Sequence, residues 1–297
     1  MSASVYGNGG NVTLSAPGNI QTGVIATGNI GGPVRPGDVT ITSQNGSINT
    51  AIGANINTVS AEFLASLGVP NQYLAEASQI QVGLGIFTFS KDTGGGNVTL
   101  NAKGDITTSN IITGSLNGNG GNITLNSQEG AINTSSGILF QGLNATTLEQ
   151  IGASANLAKL GAYLSDNKIG GLITFSVYGR GGDISLTAPQ GITTNYLVSS
   201  SYTQQGGNIS LNSTNGGIKI SGLLTNPLNP LTFDNASDTL SLSDWNAIGW
   251  LFSQGSLSTR GGTNGGNITL LANEDIEAVT VNAQGGEQGG VVEIRTP

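Results

Sequence analysis

The sequence predicts an all-β protein, a parallel β-helix of about eight coils with short helical excursions from alternate coils. Three observations predict it. A turn phrase recurs eight times, the intervals between its copies alternate short and long, and a second turn-and-strand phrase follows each of the first seven. Repetition on this scale points to a solenoid, whose units bury a core only against their neighbours.

The first phrase reads GGNITL at Gly120 and Gly265, GGNVTL at Gly9 and Gly95, PGDVTI at Pro36, GGDISL at Gly181, GGNISL at Gly206 and GGVVEI at Gly289. Its third positions are Asn11, Asp38, Asn97, Asn122, Asp183, Asn208, Asn267 and Val291, spaced by 27, 59, 25, 61, 25, 59 and 24 residues. Neighbouring intervals combine into units of 86, 86 and 84 residues, so residues 1–297 read as one elongated domain of three two-coil repeats and part of a fourth. Within the phrase the glycines permit a tight or left-handed turn, and the following residues alternate inward and outward as a strand does.

The second phrase appears as PGNIQT at Pro17, NGSINT at Asn45, KGDITT at Lys103, EGAINT at Glu129, QGITT at Gln190, NGGIKI at Asn215 and NEDIEA at Asn273. A third segment, such as VIATG from Val24 or NIITG from Asn110, completes the short intervals. Three short strands per roughly 25 residues make one coil, and eight coils stacked at about 4.8 Å make a rod of roughly 40 Å. In-register stacking places Ile20, Ile48, Ile106, Ile132, Ile192, Ile218 and Ile276 in one internal ladder, and Leu14, Leu100, Leu125, Leu186, Leu211 and Leu270 in another. The column Asn11, Asp38, Asn97, Asn122, Asp183, Asn208 and Asn267 has two readings: a turn ladder bonded from coil to coil, or residues merely tolerant of a left-handed turn.

The long intervals leave about 35 residues over, at 53–90, 137–175 and 221–258, and these spans hold 11 of the 15 aromatic residues. Each holds a helix candidate: SAEFLASLG from Ser60, TLEQIGASANLAKLGAYL from Thr147, with Thr147 and Gln150 at capping-box spacing, and SDWNAIGWLF from Ser243. Leu148, Ile151, Leu160 and Leu164 can share one face of the second. Recurring on one side of the rod, the excursions form a lateral ridge. Its aromatics either offer a contact surface, with Trp245 and Trp250 as the exposed candidates, or fill a satellite core beneath each helix.

Composition narrows the chemistry. The chain has no Cys and no His, which removes thiol nucleophiles, imidazole bases and Cys/His metal sites. A formal charge of −8 with only nine scattered basic residues excludes a nucleic-acid footprint. No apolar run approaches the roughly 20 residues needed to span a membrane. Acids lie close together only at Glu274, Asp275 and Glu277, where strand alternation splits them between faces, and at Asp234, Asp238 and Asp244, which lack an EF-hand's glycine and final glutamate. No enzyme activity and no cofactor or metal is expected.

GGNITLNSQEGAINT, GGNISLNSTNGGIKI and KGDITTSNIITGS resemble the repeat region of large bacterial exoproteins of the filamentous haemagglutinin type, which are common in cyanobacteria. The resemblance implies a right-handed β-helical shaft, secreted by the two-partner route to the cell surface and serving adhesion, aggregation or biofilm contact. Implied partners are cell-surface glycans or proteins. Met1 falls inside a repeat phrase, so the chain reads as part of a longer protein. Two alternatives stand beside the adhesive shaft: a β-helix that acts on or binds polysaccharide, and a subunit that joins end to end into a fibre through unpaired strand edges.

Overall fold

The computed structural model describes residues 9–28, 35–51, 81–82, 85–136, 140–141, 145–150, 155–167, 169–222, 233, 241–252 and 255–297. Its strands form three parallel sheets of eight, seven and seven strands, each sheet one wall of the coil. The chain visits the walls in fixed order. In the third coil it runs through Val98–Ala102 on the first wall, Ile106–Thr107 on the second and Ile111–Ser115 on the third. This is the parallel β-helix that the alternating intervals predict.

Register follows the repeat phrase residue for residue. The first wall stacks Val39 on Val98 and Ile123 on Ile184, while Leu100, Leu125, Leu186, Leu211 and Leu270 follow in one column. The second wall aligns Ile20, Ile48, Ile106, Ile132, Ile192, Ile218 and Ile276. A third column, absent from the two expected ladders, joins Ile25, Ile86, Ile111, Leu172, Leu197, Leu257 and Val281. The columns meet in the lumen, where Ile41, Leu100, Leu125, Ile106 and Ile111 are fully buried. Burying each such side chain is worth about 1.5–3 kcal/mol relative to leaving it in water.

Glycine serves the corners by closeness more than by handedness. The second glycine of the phrase lies so near the preceding coil's equivalent carbonyl that a Cβ would collide with it, as at Gly121 against Gly96 and Gly182 against Gly121. Positive φ among the described residues occurs instead at Gly171, Gly191 and Gly255, outside the phrase.

All three long intervals leave the coil between its second and third walls. The walls resume at Ile86, Gly171 and Leu257, earlier than the expected excursion ends. Phe87 and Phe175 are therefore strand residues of the third wall. The helix expected from Ser60 lies outside the described residues. Residues from Thr147 form two helices rather than one, α1 (Ala145–Gln150) and α2 (Ala155–Asp166), and α1 begins before Thr147, which removes the expected capping box. Ile151 lies outside the described residues.

The third excursion carries α3 (Leu242–Phe252), which starts one residue before the expected helix and is capped by Ser241. Asp244 N donates to Ser241 Oγ at 3.2 Å, and Ser241 N donates back to Asp244 Oδ2 at 3.2 Å. That reciprocal pair is a capping box.

The excursions do meet on one side. Gln81–Val82 pairs antiparallel with Phe140–Gln141, and α2 packs against both α1 and α3. Beneath them the third-wall strands Ile111–Ser115, Gly171–Ser176 and Tyr196–Ser201 are buried at every position. One face looks into the lumen. The other presents Ile112, Ile173, Phe175, Tyr196 and Val198 to Leu164 of α2 and to Ala247 and Leu251 of α3. Gly114 makes room here for the Phe175 ring of the next coil, which a Cβ would strike.

Candidate functional surfaces

The Asn/Asp column is a bonded ladder. Oδ1 of Asn11 accepts from Asp38 N at 2.9 Å, and the same contact repeats from Asp38 to Asn97 at 2.7 Å, Asn97 to Asn122 at 2.9 Å, Asn122 to Asp183 at 2.8 Å, Asp183 to Asn208 at 2.7 Å, Asn208 to Asn267 at 2.9 Å and Asn267 to Val291 at 2.9 Å. Each side-chain oxygen thus engages the equivalent backbone N–H one coil on. Since that N–H can only donate, each asparagine must turn its oxygen toward it, which fixes the amide orientation. Val291 offers no acceptor in turn. A shorter ladder lines the next corner, with Ser47 N donating to Asn19, Asp105 N to Ser47 and Ala131 N to Asp105, where alanine ends it.

Trp245 and Trp250, the candidates for exposure in the first of the two readings of the ridge, are not an exposed pair. Five residues apart, they stand about 140° apart around a helix and cannot share a face. Trp245 is only 5% exposed, its ring 5.3 Å from Phe233, and its Nε1 is buried without a hydrogen-bond partner among the described residues. Trp250 is half-buried against the third wall, edge-on to Tyr202 at 5.4 Å, with the Arg260 guanidinium 4.5 Å above its ring. Partial burial lowers the Arg260 pKa from its ordinary value. Tyr202 carried no signal in the sequence, because nothing local pairs it with a helix some 50 positions away, and Arg260, ten positions after Trp250, stands alone without a motif. Phe87, Phe89, Tyr163, Phe175 and Trp250 thus belong to a satellite core, the second of the two readings of the ridge, and Trp245 is buried beside Phe233.

The acids of the first stretch are not split between faces as alternation predicts: Glu274, Asp275 and Glu277 are all exposed and line one shallow groove with Lys219, because the first two precede the strand Ile276–Ala278. Glu277 pairs with Lys219 at 2.7 Å on the outer face of the second wall, while Ile276 packs on the lumen core. Asp244 is engaged in the α3 cap and also accepts from the Tyr178 hydroxyl at 2.8 Å. Burial opposes its ionisation, but the hydrogen bonds from Ser241 and Tyr178 outweigh it and hold the carboxyl below the usual aspartate value. Asp234 and Asp238 lie outside the described residues. Among the described residues no group of three His, Cys, Asp or Glu could hold a metal ion, and no helix is long and apolar enough to cross a membrane.

A polar groove of about 580 Å³ runs along the corner between the third and first walls. Gly94, Gly95, Gly120 and Gly181 are among its lining residues, and Arg35 and Arg180 lie at the same corner position three coils apart, roughly 14 Å by strand spacing. Both arginines are exposed, and neither has an ion-pair partner among the described residues. A signal for them was present in the sequence: the two phrases with aspartate in third position, RPGD and RGGD, are also the two preceded by arginine. No protein-family model, curated protein or solved structure matches the chain.

Proposed function

We propose that this chain is a shaft segment of a secreted or cell-surface exoprotein, structural and adhesive rather than enzymatic. The observation that carries the reading is the corner ladder: polar side chains that an enzyme would aim at a substrate are here spent on joining each coil to the next. A second support is the outer face of the first wall. Thr40, Thr99, Thr124, Ser185, Ser210 and Thr269 follow one another in register, so six coils present one uncharged hydroxyl column. Partners of such a shaft are cell-surface glycans or proteins, and a second copy joined end to end.

The experiment is retention of purified protein on intact cells and immobilised glycans, with reducing-end release measured alongside. Retention without sugar release is the expected result. Release of reducing ends from any polysaccharide would overturn the non-enzymatic reading. A carbohydrate-binding β-helix is the second reading, favoured by the groove between Arg35 and Arg180, whose guanidinium groups suit acceptor-rich ligands. An Arg35→Ala, Arg180→Ala variant that folds normally yet loses retention would assign binding to the groove; unchanged retention would remove that reading.

A further inference from the structure

Six Asn-Gly pairs occur in the chain, beginning at Asn8, Asn45, Asn117, Asn119, Asn215 and Asn264. Such a pair can modify itself. The glycine nitrogen loses its proton and attacks the asparagine Cγ, the side-chain nitrogen leaves as ammonia, and water then opens the resulting succinimide to aspartate or isoaspartate. A glycine N–H held by an acceptor must first give up that bond.

Five of the six are held. Gly9 N donates to Arg35 O at 3.1 Å, Gly46 N to Ser43 Oγ at 3.1 Å, Gly118 N to Ser115 Oγ at 2.8 Å, Gly120 N to Arg180 O at 2.8 Å and Gly265 N to Gln288 O at 2.8 Å. Gly216 N has no acceptor among the described residues. The partner its corner would supply is Ser213 Oγ, since Ser43 and Ser127 at the same place accept from Gly46 and from Gly130 at 2.9 Å. Ser213 Oγ is instead buried and itself unbonded among the described residues. In the coil beneath, this corner passes through Gly191 at φ 118°, the one positive-φ residue among the described positions of that corner. Asn215 is exposed, and its side chain makes no hydrogen bond among the described residues, whereas Asn117 donates to Asp92 at 2.8 Å and Asn119 accepts from Arg180 N at 2.9 Å.

We propose that Asn215 is a spontaneous modification site that converts to aspartate and isoaspartate ahead of the other five pairs. Conversion adds a negative charge to a chain already at −8. The isoaspartyl form also lengthens the main chain by one methylene in a corner where Gly216 packs tightly on Gln190 and Gly191, so ageing would loosen the stack there.

The test is peptide mapping by mass spectrometry of folded protein incubated at mildly alkaline pH, with a parallel sample in denaturant. In the folded sample Asn215 should convert about fivefold faster than the fastest other pair, the factor expected for one hydrogen bond that need not open. In denaturant the six rates should draw together. An Asn215 that ties with or trails another pair in the folded sample would overturn the proposal. So would an equal lead in denaturant, which would trace the effect to neighbouring residues and not to the missing bond.

Discussion

Truncating Leu125 to alanine should destabilise the protein by about 3–4 kcal/mol. Leu125 is fully buried, stacked in register between Leu100 and Leu186. Losing three buried carbons costs about 2.4 kcal/mol at roughly 0.8 kcal/mol each. The remainder is the cavity term, which brings Leu→Ala changes into the range of about 2.7–5.0 kcal/mol. Collapse cannot relieve it, because hydrogen bonds to the coils above and below hold the flanking strands at fixed spacing. Urea unfolding followed by far-ultraviolet circular dichroism measures the loss, and Leu14→Ala provides the control. Leu14 lies in the first coil, only partly buried, and should cost about 1 kcal/mol. Equal costs at the two positions, or a cost below about 1 kcal/mol at Leu125, would refute a lumen packed by in-register leucines.

Replacing Asn122 by alanine removes the acceptor for Asp183 N and should cost about 1 kcal/mol, while Asn122→Asp keeps the acceptor and should cost clearly less in the same urea assay. Acid should release α3 early: the Asp244 pKa lies below its ordinary value, so its contribution is complete above the unfolded-state value and is lost as pH falls through the lower folded one. Both tryptophans of the chain sit on α3, so their fluorescence reads that step directly, and Asp244→Asn should abolish it. Gly114→Ala forces a Cβ into the Phe175 ring and should cost about 1–3 kcal/mol, with Phe175→Leu restoring part of the loss as measured by thermal unfolding.

The walls were legible because stacking copies its own grammar. Every coil must put an apolar residue over an apolar residue, so the isoleucine column of the second wall reads directly from INT, ITT and IKI. The third wall was harder. Covered on both faces, strands such as GLITFS lose the alternation that marks a half-buried strand, and Phe87 and Phe175 therefore looked like parts of the excursions. For the Asn/Asp column, sequence supplied the positions but could not choose between tolerance and bonding, since the acceptor's partner lies one coil away. For Trp245 and Trp250 the sequence left exposure and burial both open: their spacing places them on opposite sides of α3, yet both sides are covered, one near Phe233 and the other by the third wall. The missing bond at Gly216 had no sequence signature at all, as Ser213, Asn215 and Gly216 repeat the pattern of Ser43, Asn45 and Gly46.

The most direct test of the stacked β-helix is a pair of distances between spin labels on outward positions of the first wall. The chain has no native cysteine, so labels can be placed in the pairs Thr40 with Ser185 and Thr40 with Thr269 through introduced thiols. Thr40 and Ser185 are three coils apart and Thr40 and Thr269 five, which strand spacing converts to about 14 Å and about 24 Å before allowance for the label arms. Separations that grow in that ratio of three to five, with narrow distributions, are the predicted result. Distances that break the ratio, or broad distributions, would contradict a single in-register stack and the shaft proposed from it.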